Sequence, residues 1–291
     1  MMNFLISKCT QRTAVVYLLI SAFLLSLGGV FIKSIHLHPF ALAGFRSSIA
    51  AIFVWLMIEK PKFNWSKAQI LGGLAYAGMM LFFVTANKWT TAANAILLQY
   101  TAPIYVALFS FMFLKEKITR LDWITVFFVF SGMALFFIDD LQPQNVVGNL
   151  LAIASGMSLA AMVLFLRKQK DESPFESLLI GNIFTAIAGL PFMLRSTLVI
   201  KDFSGILFLG IVQLGLSYLL YVAAIKQVSA MEAVLITVIE PIMNPLWVLL
   251  LIGEKPDKWA FIGGTVVLLA VTIRCVLMTM NIQKNKSNTT P

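Results

Sequence analysis

Long apolar stretches recur along this chain and restrict it to the membrane. A helix that crosses the hydrocarbon core needs about 20 predominantly apolar residues. Lipid cannot hydrogen-bond to open backbone groups, and the strict alternation of a barrel strand is missing, so each stretch is predicted to be a helix. Ten stretches qualify: Thr13–Ile32, Phe40–Ile58, Ala68–Ala86, Ala92–Leu114, Trp123–Ile138, Gly148–Leu166, Leu178–Leu194, Phe203–Ile225, Ala233–Ile252 and Trp259–Met280. We therefore predict an all-α integral membrane protein with ten transmembrane helices.

The charge content supports this interpretation and excludes several classes of protein. Only 12% of the residues are charged and 59% are hydrophobic, whereas about 25% of the residues of a typical soluble domain are charged. An ordinary soluble enzyme, a disordered protein and a nucleic-acid-binding module are therefore excluded. The two cysteines lie at opposite ends of the chain and predict neither a disulfide framework nor a thiol metal site.

Motifs for bond-making chemistry are absent from the sequence. It contains no HExxH, no P-loop and no GxSxG, which are the signatures of zinc hydrolysis, nucleotide binding and a serine nucleophile. We expect no catalytic residue, no metal and no cofactor. The expected partners are a small-molecule substrate and the lipid bilayer, with no nucleic acid. Coupling to protons and facilitated uniport without a coupling ion are both compatible with the sequence. A monomer and a homodimer are both compatible with the sequence.

Basic residues in the loops predict the orientation. With the amino terminus inside, 14 lysines and arginines flank the spans on the inner side and 6 on the outer side. Excess positive charge marks the cytoplasmic side. Both termini are therefore predicted to be cytoplasmic, in a multi-pass protein of the bacterial inner membrane.

The two halves of the chain resemble each other. Shifted by 138 positions, Pro103 falls on Pro241 and Glu116 falls on Glu254, and a shift of 134 pairs Lys33 with Arg167. Each half, 1–143 and 144–291, holds five predicted spans. Because five is odd, the second half must enter the membrane from the opposite side. Such inverted repeats are typical of secondary transporters.

Two segments resemble a known family. The fourth and ninth spans, APIYVALFSFMFLKEK and EPIMNPLWVLLLIGEK, and the Phe45-Arg46 pair of the second span resemble the drug/metabolite transporter superfamily, EamA type. The resemblance covers essentially the whole chain. One departure is Lys115, where the second repeat has Gly253 and where glycine is commoner in the family.

The resemblance implies a carrier with a central cavity lined by spans 1, 3, 4, 6, 8 and 9. It implies export of a small metabolite, such as an amino acid or an amphiphilic organic compound, by alternating access without ATP hydrolysis. A nucleotide-sugar or phosphorylated-sugar exchanger of a related branch is an alternative, although it would need more cavity cations than Arg46. An intramembrane enzyme and a non-transporting scaffold are alternatives of another class.

Glu240 is the sharpest candidate for a functional residue. It lies well inside the ninth span, near the middle of the hydrocarbon, where a charge is costly and marks a cavity, a cation partner or a proton site. A structural carboxylate is the alternative. Helical spacing places three further candidates on its face: Thr237, Asn244 and Trp247.

Prolines are predicted to kink the fourth and ninth spans. Pro103 occupies the fourth span, and Pro241 and Pro245 the ninth. Proline has no N–H, so carbonyls 237 and 241 lack their usual helical donor. A substrate ammonium group or a water molecule could take that place.

Polar side chains on other spans complete the candidate substrate site, with helix–helix hydrogen bonding as the alternative role. These candidates are Tyr76, Asn94, Gln99, Thr101, Gln213 and Tyr221.

Two arginines and two Glu-Lys pairs suggest further roles. Arg46 could neutralise a substrate carboxylate, bind a glutamate of the opposite repeat or extend to the interface, and Arg274 is predicted to extend to the interface. Glu116-Lys117 and Glu254-Lys255 are predicted to be gate or helix-end pairs on opposite faces of the membrane.

Overall fold

Helices account for all the regular secondary structure in the part of the chain that the computed structural model describes. That part comprises residues 9–58, 60–135, 146–172 and 174–253, together with 259, 262–263, 265–267, 269–274 and 276–277. Residues 1–8, 136–145, 254–258, which include Glu254 and Lys255, and 278–291 lie outside the described residues.

Within the described residues, eight helices are long and apolar enough to cross a membrane. They correspond to eight of the ten predicted spans and keep those ordinal numbers below, as first to fourth and sixth to ninth. Their bounds are Gln11–Ser34, Pro39–Met57, Lys67–Trp89, Ala92–Leu114, Val146–Lys168, Pro174–Met193, Asp202–Ile225 and Ala230–Ile252.

The fifth and tenth predicted spans are described only in part. Helix Arg120–Leu135 occupies most of the fifth, and a shorter apolar helix, Thr265–Arg274, lies within the tenth. A buried ion pair joins them: Oδ1 of Asp122 accepts from Nε and Nη2 of Arg274 at 2.8 and 2.7 Å. The prediction that Arg274 extends to the interface is therefore wrong, because a carboxylate inside the bundle holds the guanidinium.

The fourth and ninth spans are both interrupted near their middles. The fourth consists of helices Ala92–Gln99 and Ala102–Leu114. The ninth consists of Ala230–Ile236, the 3₁₀ turn Thr237–Ile239 and Glu240–Ile252. Pro103 and Pro241 stand in the first turns of the second segments, where a missing N–H costs nothing. The interruptions occupy equivalent positions in the two repeats.

Packing brings these interrupted spans to the centre. The third span packs on the sixth and seventh, the fourth packs on the sixth, and the ninth packs against the first and fourth. The eighth span contacts the first and second. Polar residues of several spans are thereby gathered between the two repeats.

The two interrupted spans also end alike. Lys115 and Gly253 both adopt left-handed backbone, with φ of 57° and 83°, and each terminates its helix. A left-handed residue at this position lets the chain leave the helix while its N–H still bonds to the last turn. Glycine adopts this conformation without steric strain, which explains why a glycine, Gly253, ends the ninth span. Lys115 adopts the same conformation with the steric strain that a Cβ brings.

We expect Gly253→Ala to lower the free energy of unfolding by about 1 kcal/mol, the cost of left-handed backbone for an L-residue. No atom of the described residues lies within 4 Å of a Cβ added there, so the expected cost is that of the backbone conformation. Thermal unfolding in detergent measures it, and Gly253→Asn is the control, since asparagine tolerates this conformation. Equal midpoints for Gly253→Ala and wild type would contradict this explanation.

Candidate functional site

A small polar cavity lies at the centre of the bundle. It is lined by residues of the six spans that the sequence analysis named: Leu25, Met79, Gln99, Tyr100, Leu159, Tyr218, Tyr221, Thr237 and Glu240. Its volume is about 20 Å³, enough for about one water molecule. Pockets for small organic molecules measure about 300–1,000 Å³, so this conformation is closed around the centre.

Glu240 is the one carboxylate among the described residues on the wall of this cavity. Its side chain is buried, with the residue 8% exposed, and Oε2 lies 2.8 Å from the hydroxyl of Tyr100. Among the described residues no lysine, arginine or histidine forms an ion pair with it. Its hydrogen-bond partner is therefore a neutral hydroxyl from the other repeat.

The Tyr100 hydroxyl has a second acceptor within reach. It lies 2.7 Å from the backbone carbonyl oxygen of Thr237, the carbonyl that Pro241 cannot serve. The N–H of Glu240 reaches the same oxygen through the 3₁₀ turn. From the sequence we expected a substrate or a water molecule to bond to this carbonyl, whereas in the structure it accepts from Tyr100.

Two further candidates on the cavity wall differ in their bonding. Gln99 donates from Nε2 to Oγ of Ser155 at 2.7 Å, and Ser155 in turn donates to the carbonyl of Met79 at 3.0 Å. Tyr221 is buried, and its hydroxyl has no hydrogen-bond partner among the described residues. The cavity wall thus includes a hydroxyl that can still form a hydrogen bond.

Three other candidates meet the first span where its helix is interrupted at Leu27. Gln213, in a π-helical segment of the eighth span, donates to the carbonyl of Leu25 at 3.3 Å. Trp247 donates from Nε1 to Oγ of Ser26 at 3.0 Å. Asn244 lies against Gly29 so closely that a Cβ there would collide with its amide. Oε1 of Gln213 and Oδ1 of Asn244 have no partner.

Arg46 is buried in the second span, where it is 1% exposed. Nη2 lies 3.0 Å from Sδ of Met80, while Nε and Nη1 have no hydrogen-bond partner. Of the roles left open for it, extension to the interface is wrong, because its side chain does not reach the surface. It also forms no ion pair with a carboxylate of the described residues.

A row of tyrosines connects the region of Arg46 with the cavity. The ring of Tyr76 contacts that of Tyr218 edge to face, with 5.1 Å between centroids, and Tyr218 lies 6.1 Å from Tyr221. Tyr76 donates to Oδ1 of Asn182 at 3.3 Å. Tyr76 therefore lies behind the cavity wall rather than on it.

Asn94 and Thr101 are likewise not on the wall of this cavity. Nδ2 of Asn94 lies 3.4 Å from Oγ1 of Thr90, at the start of the fourth span. The hydroxyl of Thr101 donates to the carbonyl of Leu98 at 2.8 Å. Both side chains form hydrogen bonds with residues three or four positions away in the sequence.

Sequence reasoning missed Tyr100, Tyr218, Ser155 and Asn182. Tyr100 lies three residues before Pro103, where a kink was predicted, and a polar aromatic residue beside a kink is a signal that could have found it. Tyr218 stands three residues before Tyr221, on the same helical face. Ser155 and Asn182 carry no comparable signal, since their partners lie on other spans.

An ion pair joins several spans at one end of the bundle. Oε1 of Glu116 accepts from Nε of Arg167 at 2.7 Å, and Oε2 accepts from the N–H of Ala230 at 3.0 Å. Nη1 of Arg167 donates to the carbonyls of Ile225 and Lys226 at 2.9 and 3.0 Å. The pair joins the fourth, sixth, eighth and ninth spans. Glu116 thus binds Arg167, not the adjacent Lys117.

The opposite end has related contacts within the first repeat. Nζ of Lys33, the residue that matches Arg167, donates to the carbonyl of Thr90 at 2.8 Å. Nζ of Lys88 donates to the carbonyl of Ile35. Cations therefore bind helix-end carbonyls at both ends, where the helix dipole favours positive charge.

No group of three metal-ligating side chains occurs among the residues that the structure describes. The central cavity offers one carboxylate, three phenolic hydroxyls, an amide and a threonine. This set can exchange a proton, bind a cation or hydrogen-bond to a polar organic molecule.

Comparison with known proteins gives the family. The chain matches the EamA-like transporter family twice, over residues 12–138 and 146–274. An uncharacterized transporter of Archaeoglobus fulgidus is 25% identical over 81% of this chain and 87% of its own length. The pseudopaline exporter CntI of Pseudomonas aeruginosa is 25% identical over 78% of this chain and 82% of its own length.

The fold has a counterpart among solved structures. A crystal structure superposes with a TM-score of 0.75 at 17% sequence identity, over 93% of this chain and 99% of the other. At this identity the likeness concerns the fold alone. Because the family match extends over both halves, the chain is a membrane protein that belongs to the EamA-like transporter family, within the drug/metabolite transporter superfamily.

Proposed function

We propose that the protein has ten transmembrane helices in two inverted five-helix repeats, 1–143 and 144–291, with both termini in the cytoplasm of a bacterium and the bundle in its inner membrane. The double family match supports two repeats. The interruptions and the left-handed helix ends at equivalent positions of the fourth and ninth spans also support it. The distribution of loop charge supports the orientation.

We propose that this carrier exports a small metabolite, an amino acid or an amphiphilic organic compound, by alternating access without ATP hydrolysis. A relative of similar length is a pseudopaline exporter. The cavity of about 20 Å³ has no room for such a solute, so the spans around it must separate for binding. The Glu116–Arg167 pair closes one end and joins both repeats, which is the position of a gate.

The single observation that carries the mechanism is a buried carboxylate, Glu240, bonded across the repeats to a neutral hydroxyl. We propose that Glu240 binds the coupling proton, and that an inward proton flux drives the solute outward. The groups that face it are Tyr100 of the fourth span and Tyr218 and Tyr221 of the eighth. All three are uncharged in their ordinary state, so no neighbouring cation neutralises the carboxylate.

The hydrogen bonding of Tyr100 would depend on the protonation state of Glu240. Its hydroxyl carries one proton and faces two acceptors, the carboxylate and the carbonyl of Thr237. An ionised Glu240 accepts a hydrogen bond from the Tyr100 hydroxyl. A protonated Glu240 donates to the tyrosine oxygen instead, and Tyr100 then donates to the carbonyl at the break. Protonation thereby changes how the fourth span is fastened to the ninth.

The substrate would bind at the same cavity once it opens. Gln99, Tyr221, Thr237 and Glu240 line it now. The unpartnered groups of Gln213, Asn244 and Arg46, with Trp247 and Tyr76 beside them, are available when the spans move apart. Arg46 would bind an anionic group of the solute, since a buried guanidinium with free donors favours an anion.

In proteoliposomes, the wild type should move at least one of a panel of labelled amino acids faster under an imposed proton gradient. We expect Glu240→Gln to abolish the effect of the gradient while solute exchange continues, because an amide mimics only the protonated carboxyl. Glu232→Gln, the same exchange at the start of the ninth span, is the matched control. Retention of gradient-driven transport in Glu240→Gln would refute the coupling, and a wild type that moves none of the panel or of added amphiphilic solutes would refute the export proposal.

A double-mutant cycle tests the hydrogen bond itself without a substrate. Tyr100→Phe and Glu240→Gln should each change the free energy of unfolding in detergent, and together they should deviate from additivity by about 1–3 kcal/mol, as directly bonded groups do. Tyr105→Phe, on the same span, is the control and should add to Glu240→Gln within about 0.5 kcal/mol. Additivity of the Tyr100 and Glu240 variants would show that the bond does not couple them.

A further inference from the structure

A second, larger space lies on the outer surface of the bundle, between the fourth and sixth spans. It measures about 270 Å³. Its walls include Tyr105, Phe109 and Phe113 of the fourth span and Ala160, Ala161 and Leu164 of the sixth. This groove is separate from the central cavity, since the two share no lining residue.

The shape of the groove follows from side-chain size. Tyr105, Phe109 and Phe113 recur every four residues and form one wall. On the opposite wall, the small side chains of Ala160 and Ala161 leave the space unfilled. Near one end, the rings of Phe113 and Phe165 meet edge to face, with 6.0 Å between centroids. From residue 105 to 113 the groove extends about 12 Å along the helix axis, close to the roughly 15 Å thickness of one hydrocarbon leaflet.

The groove opens towards lipid rather than towards the protein interior. Phe109, Phe113 and Met157 on its rim are between 41% and 55% exposed. Apolar surface of this kind faces acyl chains in a membrane. An acyl chain therefore fits both the chemistry and the length of the groove.

Basic residues stand at the headgroup end of the groove. Lys168 continues the row of Ala160 and Leu164 at steps of four on the sixth span. Lys115, Lys117 and Arg120 follow the fourth span at the same end, and all four side chains are exposed and form no ion pair with another described residue. The neighbouring Glu116 does not offset them, because it binds Arg167.

Other acidic residues at this end have partners of their own: Asp122 binds Arg274, Glu176 accepts from the N–H of Lys62 and Glu232 accepts from the N–H of Ser229. Asp171 and Glu172 follow the sixth span, and Oε2 of Glu172 accepts from Nδ2 of Asn64 at 2.6 Å. The groove itself is thus bordered by unpaired cations, as are sites between transmembrane helices that bind anionic headgroups.

We propose that this groove binds one acidic phospholipid, with an acyl chain between the fourth and sixth spans and its phosphate on Lys168 and the basic segment 115–120. The site lies on the outside of two spans that border the central cavity. A lipid held there would contact the fourth span beyond its break, where that span must move if the central cavity opens.

Purified protein with added phosphatidylglycerol tests this. Native mass spectrometry should show one retained phosphatidylglycerol, and thermal unfolding should shift upward with phosphatidylglycerol more than with phosphatidylcholine. We expect Ala161→Trp, which fills the groove, to abolish retention, and Lys168→Gln to weaken it about tenfold. Ala161→Leu gives a smaller filling change if the tryptophan variant does not fold.

Matched controls separate a specific site from ordinary lipid contact. Ala134→Trp places the same bulk on the exposed face of helix Arg120–Leu135, and Lys67→Gln removes an exposed lysine at the start of the third span. Both should retain phosphatidylglycerol as the wild type does. Equal retention of phosphatidylcholine, or unchanged retention in Ala161→Trp and Ala161→Leu, would overturn the proposal. A change of oligomeric state in Ala161→Trp without a change in lipid retention would also overturn it, because the groove would then be a subunit interface.

Discussion

The cost of placing a carboxylate in the hydrocarbon interior is the constraint on which the centre of this protein depends. An ionised group there needs a partner, a wet cavity or a proton. The structure provides Glu240 with a hydroxyl from the other repeat and a space for about one water molecule. A single neutral hydrogen bond is a modest compensation for a charge, and this is the basis of the proposal that Glu240 exchanges a proton.

The broken ninth span explains how Tyr100 comes to bond beside Glu240. In an intact helix the carbonyl of Thr237 would accept from the N–H four residues later, but Pro241 has none. The carbonyl accepts instead from the N–H of Glu240 through the 3₁₀ turn, and it also lies within hydrogen-bond distance of the Tyr100 hydroxyl, beside the carboxylate. The residue that interrupts the ninth span therefore also creates the contact between the two repeats.

Two ion pairs of the described residues differ in how permanent they are expected to be. The Asp122–Arg274 pair is almost fully buried, with side chains 8% and 2% exposed, and breaking one partner of such a pair leaves a buried charge. The Glu116–Arg167 pair is more accessible, at 22% and 13%, and partly exposed pairs contribute less. The first is suited to hold helices together, and the second is suited to open and close.

The amino-acid sequence determined the helical class, eight of the spans and the duplication, because hydrophobicity at the length of a bilayer and a gap-free internal match are properties of the chain itself. It also pointed to Glu240 and to the prolines, since an acid or a proline within an apolar helix is exceptional wherever it packs. The partners were decided by the tertiary structure. Tyr100, the carboxylate that holds Arg274, the arginine that binds Glu116 and the unpaired state of Arg46 all depend on which faces of distant helices meet, and helical periodicity alone does not specify that.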